Sequence, residues 1–569
     1  MNLIALAAVF LIASLVLGFD IWSFPLITPD EPRYAETARE MLEQGQYIVP
    51  YCDYEPRFDK PVLFYWFEVI SFKFFGLNEF AARLPSVLAG AGLVSLAFLL
   101  GSLQSYGFIA AAIMLTSLKI FVLAKLAITD MVLAFFISAT ISFFYLAYRD
   151  RLELKQRFAL SARKGSAWLP AAFVMMGFGV LCKGPVAIVL PAVIFLGFLI
   201  YERELIGFVE DTWFDILFGL LIFLALVLPW YISVHLMTDG AFTQEFFLSH
   251  NFNRFTATHT GHGQPFWFYL PVLLVGIFPW TFFLFQALFY RDTSPGVNLR
   301  SETAKANHQV KFCLLWAVVI LSFFTVSRTK LPTYILPAYL PLVMILARWW
   351  STKFKVTKGN GYKNMDALIG YIALAITMLV AAVLVFWVFK AKLVVFFSGS
   401  ILLPLAIIIF LFFSAAIIAM TAILSNARFA FVALIIASIM SYLLAAHLVM
   451  RPYAILRDSG TKQFMQQLKP EDRFVSYGVH RPRFEFYGQR KVDKLNHVAL
   501  FDYLEEGSGY FVSHHRYLRR FKKYSNKHKT IEGPLYTKNE ASSRLYFIGE
   551  STIGNGEILT SPAVPQDDN

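Results

Sequence analysis

The 569-residue chain is 57% hydrophobic and 17% aromatic, and only 15% of its residues are charged. In soluble domains about a quarter of all residues are charged. This composition therefore excludes a soluble globular protein and predicts a polytopic membrane protein. The net charge of +12 comes without a basic segment interleaved with base-stacking aromatics, and we therefore expect no nucleic-acid partner. Cys52, Cys182 and Cys313 form no CxxC pair and predict no disulfide framework.

The N-terminal run "MNLIALAAVFLIASLVLGFDIW" lacks a basic leader and a small-residue cleavage site. It therefore predicts a retained span rather than a cleaved signal peptide. Since about twenty apolar residues cross a bilayer, the whole chain predicts about thirteen spans. The predicted spans are 3–24, 82–103, 107–124, 130–148, 168–183, 185–201, 213–236, 266–289, 312–326, 331–347, 367–389, 395–424 and 429–449.

Lysine and arginine residues concentrate in the loops that follow three even-numbered spans, which predicts that these loops are cytoplasmic. With thirteen spans, the N-terminus is then cytoplasmic and the segment from about 451 onward lies outside. The loop residues are Arg149, Arg151, Lys155, Arg157, Arg163 and Lys164; Arg291, Arg300 and Lys305; and Arg348, Lys353, Lys355, Lys358 and Lys363.

This topology places the unusual polar residues on one side of the membrane. The external segments are 25–81, 125–130, Lys183, 238–265 and 327–337. A channel or transporter places ionisable groups near the midplane of its spans, whereas the spans here are almost free of charge. The pattern predicts a site at the outer membrane boundary.

The stretch "TPDEPRYAE" opens a predicted helix in the first external loop. Thr28 and Glu31 match a capping box with Pro29 at the first helical position, and Gly45 suits the helix end. This box does not need Asp30. Asp30 is then either a further favourable charge at the positive end of the helix or a functional carboxylate.

Three other charged positions allow both a structural and a functional interpretation. Lys60 follows Asp59 in "FDKPVLFYW" and is either a snorkelling interfacial lysine or a ligand for an anion. Asp130 begins the fourth span and is either an N-cap or part of the site. Lys183, before a Gly-Pro break, either caps a helix C-terminus or faces the same cavity.

The external loop "FFLSHNFNRFTATHTGHGQPFWFY" contains His250, Arg254, His259 and His262. The histidines could hold a divalent metal weakly, but neither a helical His-x-x-x-His nor a cysteine pair supports a zinc site. A guanidinium beside aromatics at an interface suits a phosphate head group, which favours Arg254 as an anion ligand.

Residues 451–569 alternate short β-rich runs such as "RFVSYG" with helical patterns, which predicts a small α/β domain. Its segment "RYLRRFKKYSNKHK" is either a solvated helix face or a contact with anionic lipid head groups.

The motifs, in this order, resemble the bacterial aminoarabinose transferases of lipid A, within the superfamily that includes the protein O-mannosyltransferases. They are "DEPRYAE", "FDKPVLFYW", an aspartate opening the fourth span, "CKGP", "HNFNRF", "GHGQPFWFYLP" and "SRTKLPTYILP", within roughly the first 350 residues. The resemblance implies an all-α GT-C bundle of about thirteen transmembrane helices over 1–450. It also implies juxtamembrane helices in loop 25–81 and a small periplasmic α/β domain over 451–569. One departure is Asp59, where the transferases commonly have glutamate before the lysine and proline.

The resemblance further implies an inverting glycosyltransferase in the bacterial inner membrane, with its N-terminus cytoplasmic and its C-terminal domain periplasmic. It would move a sugar such as 4-amino-4-deoxy-L-arabinose from undecaprenyl phosphate to lipid A, working as a monomer among membrane lipids. An alternative acceptor is a protein hydroxyl, as in the O-mannosyltransferases, or another glycan. A transporter or flippase for a lipid-linked sugar is a third hypothesis, which the one-sided placement of charge disfavours.

The chemistry assigns roles to the candidate residues. Negative charge grows on the phosphate as the glycosidic bond breaks, and cations in a dry site stabilise it. A carboxylate near the anomeric carbon orients or deprotonates the acceptor. The predicted catalytic residues are Asp30 and Asp130; the predicted phosphate ligands are Lys60, Arg254 and Lys183; and the predicted cavity residues are Glu31, Arg33, Tyr34, Asp59 and His250. The sequence assigns no cofactor. The spacing of the candidate histidine ligands does not support a divalent metal site.

Overall fold

The computed structural model describes residues 2–157, 166–247, 264–289, 300–355, 372, 427–479 and 481–496, together with the short segments 499–500, 502–503, 509–514, 530–532 and 543–548. The predicted spans 367–389 and 395–424 therefore lie outside the described residues, apart from position 372.

Helices dominate the described part of the chain. The N-terminal half contains α1 (Leu3–Gly18), α2 (Asp30–Gln44), α3 (Leu63–Phe75), α4 (Glu79–Ser102), α5 (Gly107–Leu115), α6 (Leu118–Leu123), α7 (Thr129–Arg157), α8 (Trp168–Lys183), α9 (Val186–Glu202), α10 (Leu205–Met237) and α11 (Ala241–Gln244). There follow a 3-10 turn (Phe266–Phe268), α12 (Tyr269–Gly276), α13 (Thr281–Leu288), α14 (Arg300–Val326), a 3-10 helix (Pro332–Ala338), α15 (Tyr339–Lys355), α16 (Ala427–Ala445), a π turn (Ala446–Met450), α17 (Arg451–Gln467) and α18 (Pro482–Gly488).

The chain is a multi-pass membrane protein. Among the described residues, six helical segments are long and apolar enough to cross a membrane: Glu79–Ser102, Thr129–Glu153, Leu205–Met237, His308–Val326, Pro332–Phe354 and Arg428–Ala445. Shorter apolar helices occupy Leu3–Gly18, Trp168–Lys183 and Val186–Glu202, at positions where the sequence predicts spans.

Two predicted spans are broken rather than continuous. The predicted span 107–124 divides into α5 and α6, and the predicted span 266–289 bends by 110° between Gly276 and Thr281. Pro279 lies in this second break, where it cannot donate the backbone hydrogen bond that a continuous helix needs. Hydropathy counts apolar residues and does not detect such interruptions.

Helices α4 and α7 form the centre of the bundle, because 83% and 89% of their apolar membrane-spanning stretches are buried. The corresponding stretch of α10 is only 17% buried. Small residues on α4 permit this close packing. A Cβ placed at Gly92 would lie 2.5 Å from the Phe135 ring of α7, and one at Gly90 would lie 3.0 Å from Leu17 of α1.

The first external loop folds into α2 and α3, joined by a hairpin of strands β1 (Tyr51–Cys52) and β2 (Glu55–Pro56). Asp53 and Tyr54 turn the hairpin with positive φ angles of 62° and 58°, as tight two-residue turns require. Helix α2 ends at Gly45, in the left-handed conformation that favours glycine.

The predicted capping box at the start of α2 is wrong. The helix begins at Asp30, and the residue before it, Pro29, has no side chain that can cap. Glu31 instead accepts a hydrogen bond of 2.7 Å from the backbone N–H of Ile27. Its carboxylate faces the protein interior because a partner from another helix lies there.

That partner is Arg83 of α4. Its Nε and Nη2 atoms donate to the two oxygens of Glu31 at 2.9 and 2.8 Å, and both side chains are almost fully buried. The remaining N–H groups of Arg83 donate to backbone carbonyls of Ile21, Phe24 and Pro25 at 2.7–2.9 Å. This one side chain therefore joins α2, α4 and the segment between α1 and α2.

The C-terminal region contains a five-stranded mixed sheet with the strand order β4-β3-β5-β7-β6. Its strands are β3 (Phe474–Tyr477), β4 (Asp493–Lys494), β5 (Gly509–His514), β6 (Thr530–Glu532) and β7 (Ser543–Ile548). Strands β4, β3 and β5 are parallel, whereas β7 is antiparallel to both β5 and β6. Helix α18 of this region packs against the first external loop, where Phe486 lies 6.0 Å from Phe72.

Replacing Arg83 by methionine should lower the free energy of unfolding by about 3–5 kcal/mol, because it leaves the buried Glu31 carboxylate without its cation. Thermal unfolding of the detergent-purified protein measures the loss. The control is Arg328→Met, which removes an exposed arginine and should change stability by no more than about 0.5 kcal/mol. Equal melting of both variants and the wild type would contradict this role of Arg83.

Candidate active site

Several of the predicted site residues come together: Tyr34, Asp59, Lys60, Asp130 and Lys183. The side chain of Tyr34 on α2 lies within electrostatic range of Arg57, Asp59, Asp130 and Lys183. These residues belong to the loop after β2, the first turn of α7 and the last turn of α8. Three separate segments of the chain therefore contribute charge around the Tyr34 side chain of a fourth, α2.

Asp130 and Lys183 form a short ion pair. Lys183 Nζ lies 2.5 Å from Asp130 Oδ1, and each side chain is less than one fifth exposed. The pair forms because α7 and α8 are neighbouring helices, so that the start of one meets the end of the other. The ammonium group also lies 5.1 Å from the ring centroid of Tyr334, a cation–π distance.

Arg57 is the residue that sequence reasoning missed. Its Nε and Nη2 atoms donate to the two carboxylate oxygens of Asp59 at 2.6 and 3.2 Å, and its Nη1 donates to the Arg33 carbonyl at 2.8 Å. The guanidinium lies 4.9 Å from the centroid of Tyr34 and 5.7 Å from that of Tyr65. The available signal was the spacing in "RFDK", where a cation precedes the predicted acid and lysine by a few residues.

Lys60 is held by its neighbour in sequence. Its Nζ donates to the backbone carbonyl of Asp59 at 2.8 Å and lies 3.7 Å from Asp59 Oδ2. Only 9% of the lysine side chain is exposed. A lysine oriented in this way differs from a snorkelling lysine, whose head group extends into water.

Tyr34 contributes a protonated phenol. Burial raises the pKa of Tyr34, and the nearby Arg57 guanidinium lowers it only in part. The hydroxyl therefore stays protonated at neutral pH and is able to donate a hydrogen bond. Its ring packs edge-on against Phe64 with centroids 5.3 Å apart, which fixes its orientation.

Asp30 differs from every other acid of this group. It lies exposed in the first turn of α2, and no hydrogen bond or ion pair joins its side chain to another residue of the described ranges. Glu31, which the sequence placed in the cavity, is instead buried: its oxygens bind Arg83, the N–H of Ile27 and, at 2.7 Å, the N–H of Ala127. Arg33 lies half-buried one turn after Asp30.

Two predicted site residues belong to the segment 248–263, which the structure does not describe. Arg254 and His250, with the neighbouring His259 and His262, lie outside the described residues. Their predicted roles in phosphate binding and in lining the cavity stay predictions.

Comparisons with known proteins show which proteins this chain resembles. Residues 2–238 match the family model of dolichyl-phosphate-mannose-protein mannosyltransferases. An undecaprenyl phosphate-α-4-amino-4-deoxy-L-arabinose arabinosyl transferase of Aeromonas hydrophila is 33% identical over 371 residues, which are 64% of this chain and 62% of that protein. The enzyme of the same name from Photorhabdus laumondii is 30% identical over 347 residues, 59% of this chain and 58% of that protein. The aligned region thus spans about three fifths of these curated relatives.

Solved structures establish the fold. The crystal structure of ArnT from Cupriavidus metallidurans bound to undecaprenyl phosphate superimposes with a TM-score of 0.72, covering 95% of this chain and 97% of that one at 20% identity. The apo structure of that protein gives a TM-score of 0.71 at 18% identity. The chain has the GT-C fold. The predicted resemblance to the aminoarabinose transferases is confirmed.

The pairing of Asp130 with Lys183 can be tested by a double-mutant cycle. Asp130→Asn and Lys183→Met should each destabilise the protein, because each leaves one buried charge without its partner. The double variant should lose less than the sum, with a coupling of about 1–3 kcal/mol in thermal unfolding. A parallel cycle on the more exposed pair Arg149–Glu153 should couple by less than about 0.5 kcal/mol. Additive losses at Asp130 and Lys183 would show that the two do not act as a pair.

Proposed function

We propose that the chain is a polyprenyl-phosphate-dependent glycosyltransferase that moves 4-amino-4-deoxy-L-arabinose from undecaprenyl phosphate to lipid A. The observation that carries the proposal is the group of oriented cations around Tyr34. Asp30 lies one helical turn before Tyr34, and its carboxylate has no ion-pair partner among the described residues. Support comes from the fold shared with a structure whose title names bound undecaprenyl phosphate, and from relatives named as arabinosyl transferases. The donor would be the lipid-linked sugar and the acceptor a periplasmic glycolipid.

The cations suit a phosphate leaving group. As the bond between the sugar and the phosphate breaks, the bonding electrons stay on the phosphate oxygen and its negative charge grows. Lys60 and Arg57 are fixed by Asp59 before substrate arrives, so stabilisation of that charge costs little reorganisation. The reaction written in this way uses side chains alone and needs no nucleotide or cofactor.

Asp30 suits the sugar or the acceptor. A lipid A phosphate is already anionic at neutral pH and attacks the anomeric carbon without a strong base. The carboxylate of Asp30 would then orient the sugar and stabilise the positive charge that develops on its ring. Tyr34, on the same face of α2 one turn later, would donate a hydrogen bond into the same space.

A second function has one observation in its favour. The family model that matches residues 2–238 describes mannosyltransferases acting on proteins, so a protein hydroxyl is the alternative acceptor. A hydroxyl must lose its proton during attack, and Asp30 would then act as a general base. Transfer assays that offer lipid A and a serine-rich peptide in parallel distinguish the two acceptors.

The orientation proposed is a cytoplasmic N-terminus with the site and the C-terminal region on the periplasmic side of the inner membrane. Helix α7 supports it, because Asp130 begins the helix and Arg149 and Arg151 lie near its other end. Basic residues favour the cytoplasmic end of a span.

Asp30→Asn should reduce sugar transfer by about 100-fold or more while the protein melts at the wild-type temperature. The amide keeps the shape of the side chain but removes its charge. Transfer from the undecaprenyl-linked sugar is measured with purified protein in detergent. The matched control is Asp239→Asn, which changes another exposed aspartate and should leave transfer unchanged. Near-normal transfer by Asp30→Asn would rule out an essential charge there.

Labelling of single cysteines tests the orientation. In a background in which Cys52, Cys182 and Cys313 are replaced, a membrane-impermeant thiol reagent should label positions 30 and 254 and the 451–569 region in spheroplasts. Positions 155 and 355 should react only after the membrane is opened. Labelling of positions 30 and 355 from the same side would overturn the proposed topology.

A further inference from the structure

Four carboxylates lie where loop 25–81 contacts the C-terminal region, and none of them is among the site residues described above. Glu36 and Glu40 lie on one face of α2, Asp53 lies in the hairpin turn, and Glu485 lies on α18. Oxygen atoms of Glu36, Glu40 and Glu485 all lie within 4.8 Å of one another. All three of these glutamates are fully buried.

Two arginines compensate part of this charge. Arg39 donates to both oxygens of Glu36 at 2.6 and 2.8 Å, and it also binds the half-exposed Glu43 at 2.9 Å. Arg481 lies 3.2 Å from Asp53. Each guanidinium is also shared with a carboxylate outside the cluster, Arg39 with Glu43 and Arg481 with Glu55. With all four carboxylates ionised, the two arginines therefore leave at least two negative charges uncompensated in the buried cluster.

Backbone groups satisfy only some of the remaining oxygens. The N–H of Tyr54 donates to both oxygens of Glu40 at 3.0 and 3.2 Å, and the N–H of Val492 donates to Glu485 Oε1 at 3.1 Å. Glu485 Oε2 and Asp53 Oδ1 are buried and accept no hydrogen bond from any residue that the structure describes. An ionised carboxylate buried without a donor or a cation is strongly unfavourable.

The two unsatisfied carboxylates are neighbours. Burial raises the pKa of Glu485, and the adjacent Asp53 carboxylate raises it further. Two ionised carboxylates cannot donate hydrogen bonds to each other, so a bound cation or a shared proton is needed to offset their repulsion.

We propose that Glu36, Glu40, Asp53 and Glu485 bind one hard divalent cation, of the Mg²⁺ or Ca²⁺ class. The uncompensated charge of the cluster equals that of the cation. All four side chains offer oxygen, which these ions prefer, whereas structural zinc sites use the sulfur and nitrogen ligands that this cluster lacks. Glu485 supplies an oxygen that has no other partner.

The cation would join α2 and the hairpin to α18. The same contact includes Tyr487, whose hydroxyl accepts from the N–H of Leu26 at 2.8 Å and lies 3.2 Å from Glu79. These hydrogen bonds hold α18 against the segment before α2 and the start of α4. The four ionised carboxylates then repel one another unless a cation is bound. The proposal concerns stability and binding, and it holds whatever sugar or acceptor the protein uses.

The test uses the full-length protein in detergent, stripped with EDTA and desalted at pH 7.5. Calorimetric titration with CaCl₂ and with MgCl₂ should show one cation bound per chain, and the same cation should raise the melting temperature by several degrees. An EDTA-stripped wild type that binds neither ion, and whose melting temperature neither ion changes, would overturn the proposal.

Two isosteric variants locate the site. Glu485→Gln removes one charge and supplies an amide that can donate to Asp53, so the cation-free protein should remain folded while cation affinity falls by about tenfold or more, a loss of at least about 1.4 kcal/mol. Glu55→Gln changes a neighbouring carboxylate whose side chain is 79% exposed, and it should bind as the wild type does. Equal affinities for Glu485→Gln and the wild type would place the cation elsewhere and overturn the assignment.

A shared proton is the competing explanation, and its signature is different. A carboxyl group whose pKa is raised by folding binds its proton more tightly in the folded state, so stability falls as pH rises through that pKa. A melting temperature that falls between pH 5.5 and 8.5 and does not respond to Ca²⁺ or Mg²⁺ at any of these values would replace the cation with a proton.

Discussion

The buried ion pair between Glu31 and Arg83 is the constraint on which the external site depends. Adjacent residues on a helix point about 100° apart, so fixing Glu31 toward the bundle also fixes where its neighbours point. Asp30 then lies exposed and Tyr34, one turn later, borders the same space. Because the pair is buried and its hydrogen bonds are all used, α2 cannot rotate without exposing two charges to an apolar core.

The charges of the site are organised as pairs, and this determines which residue remains available. Arg57 is bound to Asp59, and Lys183 to Asp130. Each carboxylate offsets the desolvation cost of its partner cation. It also weakens the electrostatic attraction between that cation and a bound phosphate. A second consequence concerns the two predicted catalytic acids. Asp130 already pairs with a lysine, whereas Asp30 is exposed and has no cationic partner among the described residues, as the proposed contact with a sugar requires.

Sequence periodicity and composition were sufficient to predict the membrane class, most spans, the end of α2 at Gly45 and the positions of Asp130 and Lys183 at helix ends. These features depend on local patterns or on membrane topology. The partner of Glu31 lies 52 positions away at Arg83, and the break at Pro279 interrupts a run whose composition still resembles a span. Such contacts depend on how helices pack, which a single sequence does not specify. Arg57 was missed because its role arises from a hairpin that returns the chain to α2.

The glutamates of α2 show how burial changes the meaning of a pattern. In "DEPRYAETARE" the charged residues have the density of a solvated helix face, and Arg39 placed among Glu36, Glu40 and Glu43 suggests ordinary surface pairs. Helix α18 covers this face, so pairs worth little in water become buried and their imbalance becomes costly. The start of α2 is thus held to the bundle by the ion pair between Glu31 and Arg83, whose charges cancel. The middle of α2 contacts the C-terminal region through the cluster of carboxylates, in which negative charge exceeds positive charge. One short helix therefore connects the membrane domain, the exposed Asp30 and the external domain, which explains why charged residues are so dense in it.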